Sequence, residues 1–141
     1  MLGIHGVEAL GLLKFDFLGL ANLTILRTAV DRIKATYGVA IDLDTIPLDD
    51  AKTFALLASG ETSGIFQLES AGMRRYIKEL RPTSVFDLAA MVALYRPGPM
   101  ANIPSYIRRK HGTEPVTYLH PLLEPFLKRT YGVFVYQEDI M

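Results

Sequence analysis

The sequence contains no cysteine, which excludes disulfides and every cysteine-ligated metal centre. Its histidines, His5, His111 and His120, lie too far apart in the chain to read as a metal pair. No stretch approaches the roughly 20 consecutive apolar residues of a membrane span. The start has neither the basic n-region nor the apolar h-region of a secretory signal. These absences lead to the expectation of a cytoplasmic protein with no membrane contact. An excess of one charge is missing too, since 15 Lys and Arg balance 15 Asp and Glu.

What is present is apolar and helical in pattern. Half of the 141 residues are hydrophobic, enough for one domain, or a piece of one, with a real core. The neutral total hides an asymmetry. Residues 1–70 carry five Lys and Arg against nine Asp and Glu, hence −4, and residues 71–141 carry ten against six, hence +4. A basic half on a neutral chain is either a phosphate-facing surface or a set of solvated helix faces.

Leu23, Leu26, Val30, Ile33 and Tyr37 recur at helical spacing up to Gly38. "IDLDTIPLDD" reads as a linker in which Asp42 and Asp44 serve turns and caps. Asp49 or Asp50 then caps a short helix closed by Gly60. "SGIFQLES" is ambiguous between extended and turn. Met73, Tyr76, Ile77 and Leu80 mark a further amphipathic helix ended by Pro82, and Ser84 with Asp87 has the spacing of a capping box. That next helix stops at Arg96-Pro97-Gly98-Pro99. Helices near 102–111 and 121–130 follow, then a short strand, Val133 to Tyr136. The predicted fold class is mainly α with a few short strands.

The other predicted strand covers residues 10–17 and poses the sharpest question. In "LGLLKFDFLGL", alternation sets Leu13, Phe15 and Phe17 on one face and Lys14 and Asp16 on the other. A half-wet antiparallel strand explains the two charges. So does a functional site, in which Asp16 holds a divalent cation and Lys14 meets phosphate oxygens, given acidic partners from elsewhere.

"LGLLKFDFLGLANLTIL", "IPLDDAKTFALLASGETSGIFQLESAGM", "MVALYRPGPM", "YIRRKHG" and "TYGVFVYQEDIM" together closely resemble, in order, the alpha subunits of bacterial DNA polymerase III, the C family of replicative polymerases. The resemblance implies a helical fingers segment preceded by a palm β-strand. Residues 1–18 would be the C-terminal strand of the palm, and residues 19–141 the fingers, incomplete at the C-terminus. The chain would be partial, with the rest of the palm upstream and the clamp-binding and single-strand-binding regions downstream.

On the same resemblance, Asp16 matches the third of three catalytic carboxylates and is the metal-ligand candidate. The two magnesium ions would be shared with carboxylates absent from this chain. Lys14 and Arg96 are nucleotide-binding candidates, and Arg108, Arg109 and Lys110 are nucleic-acid-binding candidates. Arg74, Arg75, Lys78 and Arg81 spread over another helix, and Tyr136, Gln137 and Glu138 close the chain, all without an assigned role. The implied partners are primer–template DNA, dNTPs and the remaining domains of the alpha subunit. The sliding clamp and other replisome subunits would bind through absent regions. The implied reaction is DNA-directed DNA synthesis by two-metal nucleotidyl transfer to a primer 3′-hydroxyl, with the isolated chain inactive. A non-catalytic nucleic-acid or partner-binding module derived from the fingers is the alternative, and a structural remnant is a third.

Overall fold

The structure, a computed structural model, describes Gly6, residues 9–13 and residues 15–141. It divides into two compact units, Met1–Asp44 and Thr45–Met141. This division falls inside the acidic linker and follows packing, whereas the boundary at residues 18 and 19 expected from the sequence follows family resemblance.

The first unit contains α1, Ala21–Tyr37. Its helical spacing ends where predicted, at Gly38, whose φ of 70° closes the last turn through a bond from its N–H to the Lys34 carbonyl. No residue of α1 is buried within the chain. The exposed Arg27–Asp31 pair, 3.3 Å apart, adds little to its stability.

The predicted strand at 10–17 is absent among the described residues, which are turn or irregular there. Local alternation does survive, since Phe15 and Phe17 lie on one side with ring centroids 6.5 Å apart. What is missing is a ladder. A strand exists only when a second segment satisfies its N–H and C=O groups, and period-2 spacing cannot supply that segment.

The second unit carries the core. It holds α2 (Ala51–Ser59), α3 (Ala71–Leu80), α4 (Val85–Leu94), α5 (Ile103–Lys110) and the single turn α6 (Glu124–Leu127). Short-range chemistry fixes most ends. Asp50 accepts from Thr53 N–H at 2.9 Å, and Ser70 accepts from Met73 N–H at 3.2 Å. Ser84 and Asp87 form the predicted capping box, with bonds of 3.3 and 3.2 Å. Met73, Ile77 and Leu80 of α3 pack with Met91 and Leu94 of α4 and with Ile103, Tyr106 and Ile107 of α5.

Two expectations need correction here. The helix near 121–130 is not one α-helix. Pro121 and Pro125 remove two amide donors, and the segment becomes a 3-10 turn (Pro121–Leu123), α6, and a second 3-10 turn (Lys128–Thr130). The Val133–Tyr136 strand is also absent. Val133 N–H bonds the Thr130 carbonyl at 3.0 Å, and the amides of Val135 and Tyr136 both donate to the Asp139 carboxylate at 2.8 Å. A local carboxylate takes the donors that a neighbouring strand would need.

The chain between these pieces is pinned from inside. Thr62 is fully buried, and its hydroxyl donates to the Leu68 carbonyl at 2.6 Å, closing the "SGIFQLES" segment as a loop of turns. Gly132 must be glycine, since it has a φ of 76° and a side chain there would run into the Thr117 carbonyl.

Candidate nucleic-acid interface

The basic triplet at the end of α5 does not act as one cluster. Successive helical residues are about 100° apart, and Lys110 points away from the side on which Arg108 and Arg109 meet. Arg108 and Arg109 turn to Glu114, donating through Nε at 2.8 and 2.7 Å. Glu114 returns to them because the chain reverses at Gly112, where Thr113 N–H bonds the Arg108 carbonyl at 2.9 Å. Ser105 completes the carboxylate's shell, its hydroxyl 3.0 Å from both oxygens.

Arg109 also donates to the Tyr131 carbonyl at 3.1 Å and to the Thr117 hydroxyl at 3.3 Å, so it ties the 114–132 segment to α5. Lys110 goes elsewhere. Its ammonium lies 3.3 Å from Asp87 and 3.2 Å from the Thr83 hydroxyl, and its side chain is 8% exposed. Of the three expected DNA-facing cations, only Arg108 keeps a half-exposed side chain, at 52%.

Hydrogen bonding from Arg109, followed by Ser105 and Arg108, holds the Glu114 carboxyl below its ordinary range against the opposing effect of burial. A depressed carboxyl stabilises the fold at and above neutral pH, and that contribution is lost as pH falls through its folded value. The Glu114 carboxyl carbon is therefore expected to titrate below the ordinary range of a peptide glutamate in an NMR pH series. Glu114→Gln should remove that part of the acid sensitivity. A Glu114 midpoint within the ordinary range of a glutamate in a short unstructured peptide would refute the arrangement.

A second group gathers around α4. Phe66, Gln67, Arg96 and Tyr136 rim an open cleft of ≈ 550 Å³ whose floor includes Val85, Leu88 and Val92. Arg96 reaches the rim because the chain turns at the end of α4, with its N–H on the Leu94 carbonyl at 2.8 Å and its carbonyl accepting from Met100 at 3.1 Å. Gln67 holds a left-handed φ of 64°, unusual for a residue with a Cβ. Tyr136 is half-buried, and burial pushes its phenol above the usual range. The sequence marks Arg96 and Tyr136 but not Gln67 or Thr62. Nothing in "IFQLE" signals a positive φ, and the buried side chain–backbone bond of this loop joins Thr62 to Leu68, one position beyond Gln67.

Lys14 lies outside the described residues. Asp16 is exposed in the first unit. Among the described residues no group of three or more His, Cys, Asp or Glu side chains comes together as a metal site. Asp42 accepts from Asp44 N–H at 3.0 Å, a turn bond that matches the linker reading. One carboxylate offers two oxygens, and magnesium requires about six ligands, so these residues do not fit a magnesium centre by themselves. None of the described helices is long and apolar enough to cross a membrane.

Residues 22–141 match the family described as the bacterial DNA polymerase III alpha subunit finger domain. The DNA polymerase III subunit alpha of Halalkalibacterium halodurans is 60% identical over 135 residues, which are 96% of this chain and 12% of that protein. The subunit of the same name from Staphylococcus aureus strain COL is 54% identical over 134 residues, 95% of this chain and 13% of that protein. The chain thus spans about an eighth of the length of the curated relatives it matches. Over nearly its whole length, it belongs to the bacterial DNA polymerase III alpha subunit family, in the finger region.

Proposed function

We propose that the chain serves as the palm–fingers junction and fingers of a replicative polymerase. Residues 1–18 would belong to the palm and 19–141 to the fingers, acting in DNA-directed DNA synthesis from dNTPs on a primed template. The observation that supports this reading best is the gathering of Arg96, Gln67 and Tyr136 around one open cleft in a chain of this family. An exposed guanidinium offers five donors in a planar fork, suited to phosphate oxygens or to stacking on a base. An apolar floor beside it suits the flat face of a nucleobase. The left-handed Gln67 stores backbone strain at that rim, a feature that clusters at ligand-binding positions. Asp16 contributes the carboxylate of this segment to a centre completed by other domains, and Lys14 an ammonium beside it. Arg108 supplies an exposed charge toward DNA, while Arg109 and Lys110 hold the helix end in place.

The test uses a complete alpha subunit carrying this segment. Arg96→Ala is expected to raise the dNTP KM by about ten- to a hundredfold, the worth of a charge-assisted hydrogen bond. The effect on kcat should be smaller, and Arg96→Lys should recover part of the loss. Unchanged KM and kcat would remove Arg96 from the nucleotide site.

A further inference from the structure

Two open clefts outside the Arg96 rim share one wall. The first, ≈ 580 Å³, is lined by Arg74, Arg75 and Lys78 together with Ser63 and the turn that ends α2. The second, ≈ 470 Å³, is lined by Lys78, Arg81, Arg108 and His111. Lys78 lines both, so the cations form one continuous row. Arg74 and Lys78 follow Met73 and Ile77 by one position each, so they form a stripe beside the buried stripe of α3, and Arg81 follows at its left-handed C-cap.

The row is held in place. Arg74 Nη1 donates to the Ser63 hydroxyl at 2.8 Å. The Lys78 stem packs over Gly60, where an added Cβ would come within 2.5 Å of Lys78 Cγ. His111 Nε2 lies 3.0 Å from the Glu79 carbonyl, which brings the ends of α3 and α5 together. Glu61 and Glu79 also line the clefts and offset part of the charge, Glu79 through a 3.8 Å pair with Arg75.

The geometry points to a track for a phosphodiester backbone, on a face distinct from the Arg96 rim. Neither cleft is lined by Phe, Tyr or Trp; His111 is the one ring among their lining residues, and the only large apolar side chain is the buried Ile107. A protein partner would find no apolar pocket there, and a run of bases no row of large rings to stack on. A strand read only through its phosphates needs neither. Along the helix, Arg74 to Lys78 rises about 6 Å, and Arg81 extends the row from the C-cap. Phosphates of one duplex strand rise about 3.4 Å each along the helix axis, so more than one phosphate falls within the length of the Arg74–Lys78–Arg81 row. That the polyanion is DNA rests on the polymerase reading; the track itself does not.

The competing role for these cations is to offset the carbonyl ends of α2, α3 and α5, and salt dependence separates the two. Fluorescence anisotropy would follow labelled single-stranded and labelled duplex DNA of arbitrary sequence against this chain between 50 and 200 mM salt. The variant is Arg74→Gln, Lys78→Gln and Arg81→Asn, the asparagine chosen because Arg81 has a φ of 46°. The expected result is a fall in the slope of log affinity against log salt of about 2 for single strands and about 2.7 for duplex. The probe that shows it identifies the strand form.

Arg27→Gln, Arg32→Gln and Lys34→Gln on α1 provide a charge-matched control whose slope should not change. Lys78→Gln alone, at one exposed position, should lower the slope by about 0.7 to 0.9 even if the triple variant folds poorly by circular dichroism. An unchanged slope with both probes, an equal fall in the control, or no binding by the unaltered chain at 50 mM salt would each overturn the track. Primer extension is not read, so the outcome is independent of any role of Asp16.

Discussion

Asp16→Asn in a complete alpha subunit carrying this segment is expected to reduce primer extension by at least about a thousandfold, equivalent to about 4 kcal/mol of transition-state stabilisation. Asparagine keeps the size and one carbonyl oxygen of the side chain and removes the negative charge that hard cations favour. Because the change is confined to one exposed side chain, DNA binding and thermal stability should stay close to those of the unaltered subunit. Lys14→Ala should differ in kind, mainly raising the dNTP KM, since an ammonium acts on phosphate as a point charge. The 141-residue chain alone should not extend a primer, because Asp16 as the single carboxylate of the proposed set cannot hold two magnesium ions. Normal extension by the Asp16→Asn subunit, measured by single-turnover incorporation, would remove Asp16 from the catalytic set.

The largest expected effect on stability lies at Asp87. This carboxylate is 4% exposed and serves two purposes at once. It accepts from the amides of Thr83 and Ser84 at 2.9 and 3.2 Å, capping α4, and it pairs with the buried Lys110 at 3.3 Å, joining α4 to the end of α5. Its charge also reaches the core, where burial first and Asp87 second push the Tyr106 hydroxyl above its ordinary range. Asp87→Ala removes the cap and leaves Lys110 buried without its counter-charge, at a cost of about 3–5 kcal/mol. In a unit of this size that lowers the unfolding midpoint by roughly 15–30 °C. Lys110→Met keeps the apolar stem and leaves Asp87 its hydrogen bonds, so it should cost clearly less. Combining the two should recover part of the Asp87→Ala loss, since the buried orphan charge is gone. A loss under about 1 kcal/mol for Asp87→Ala, from urea or thermal melts, would show that the pair contributes little net stability.

These two residues mark how far the sequence is legible. Asp87 is readable as half of a capping box because its partner Ser84 is three positions away and helix geometry alone brings them together. Its second partner is not readable. Lys110 lies 23 positions later in a run, "RRK", that looks like free surface charge, and only the packing of α5 against α4 buries it. Glu114 is intermediate, since a helix end followed by Gly112 and an acid hints at a returning carboxylate. The strands fail for the converse reason. Alternation at 10–17 and 133–136 is a local pattern, but a ladder needs a distant partner. In the second case Asp139, three positions on, satisfies the Tyr136 amide instead.

By itself, the sequence determines the helix starts and stops at Gly38, Asp50, Gly60 and Ser84, the stripe Met73–Ile77–Leu80 that becomes core, and the resemblance that carries the family. Each rests on spacing within about one or two helical turns, or on matched blocks of residues. Tertiary structure alone decides which charges remain available. It holds Arg109 and Lys110 in internal pairs, leaves Arg108 half-exposed though paired with Glu114, lines up Arg74, Lys78 and Arg81 along two joined clefts, and brings Gln67 to the rim beside Arg96. The physical reason is that a charge is satisfied by whatever stands within about 4 Å of it in space, and chain separation says nothing about that distance.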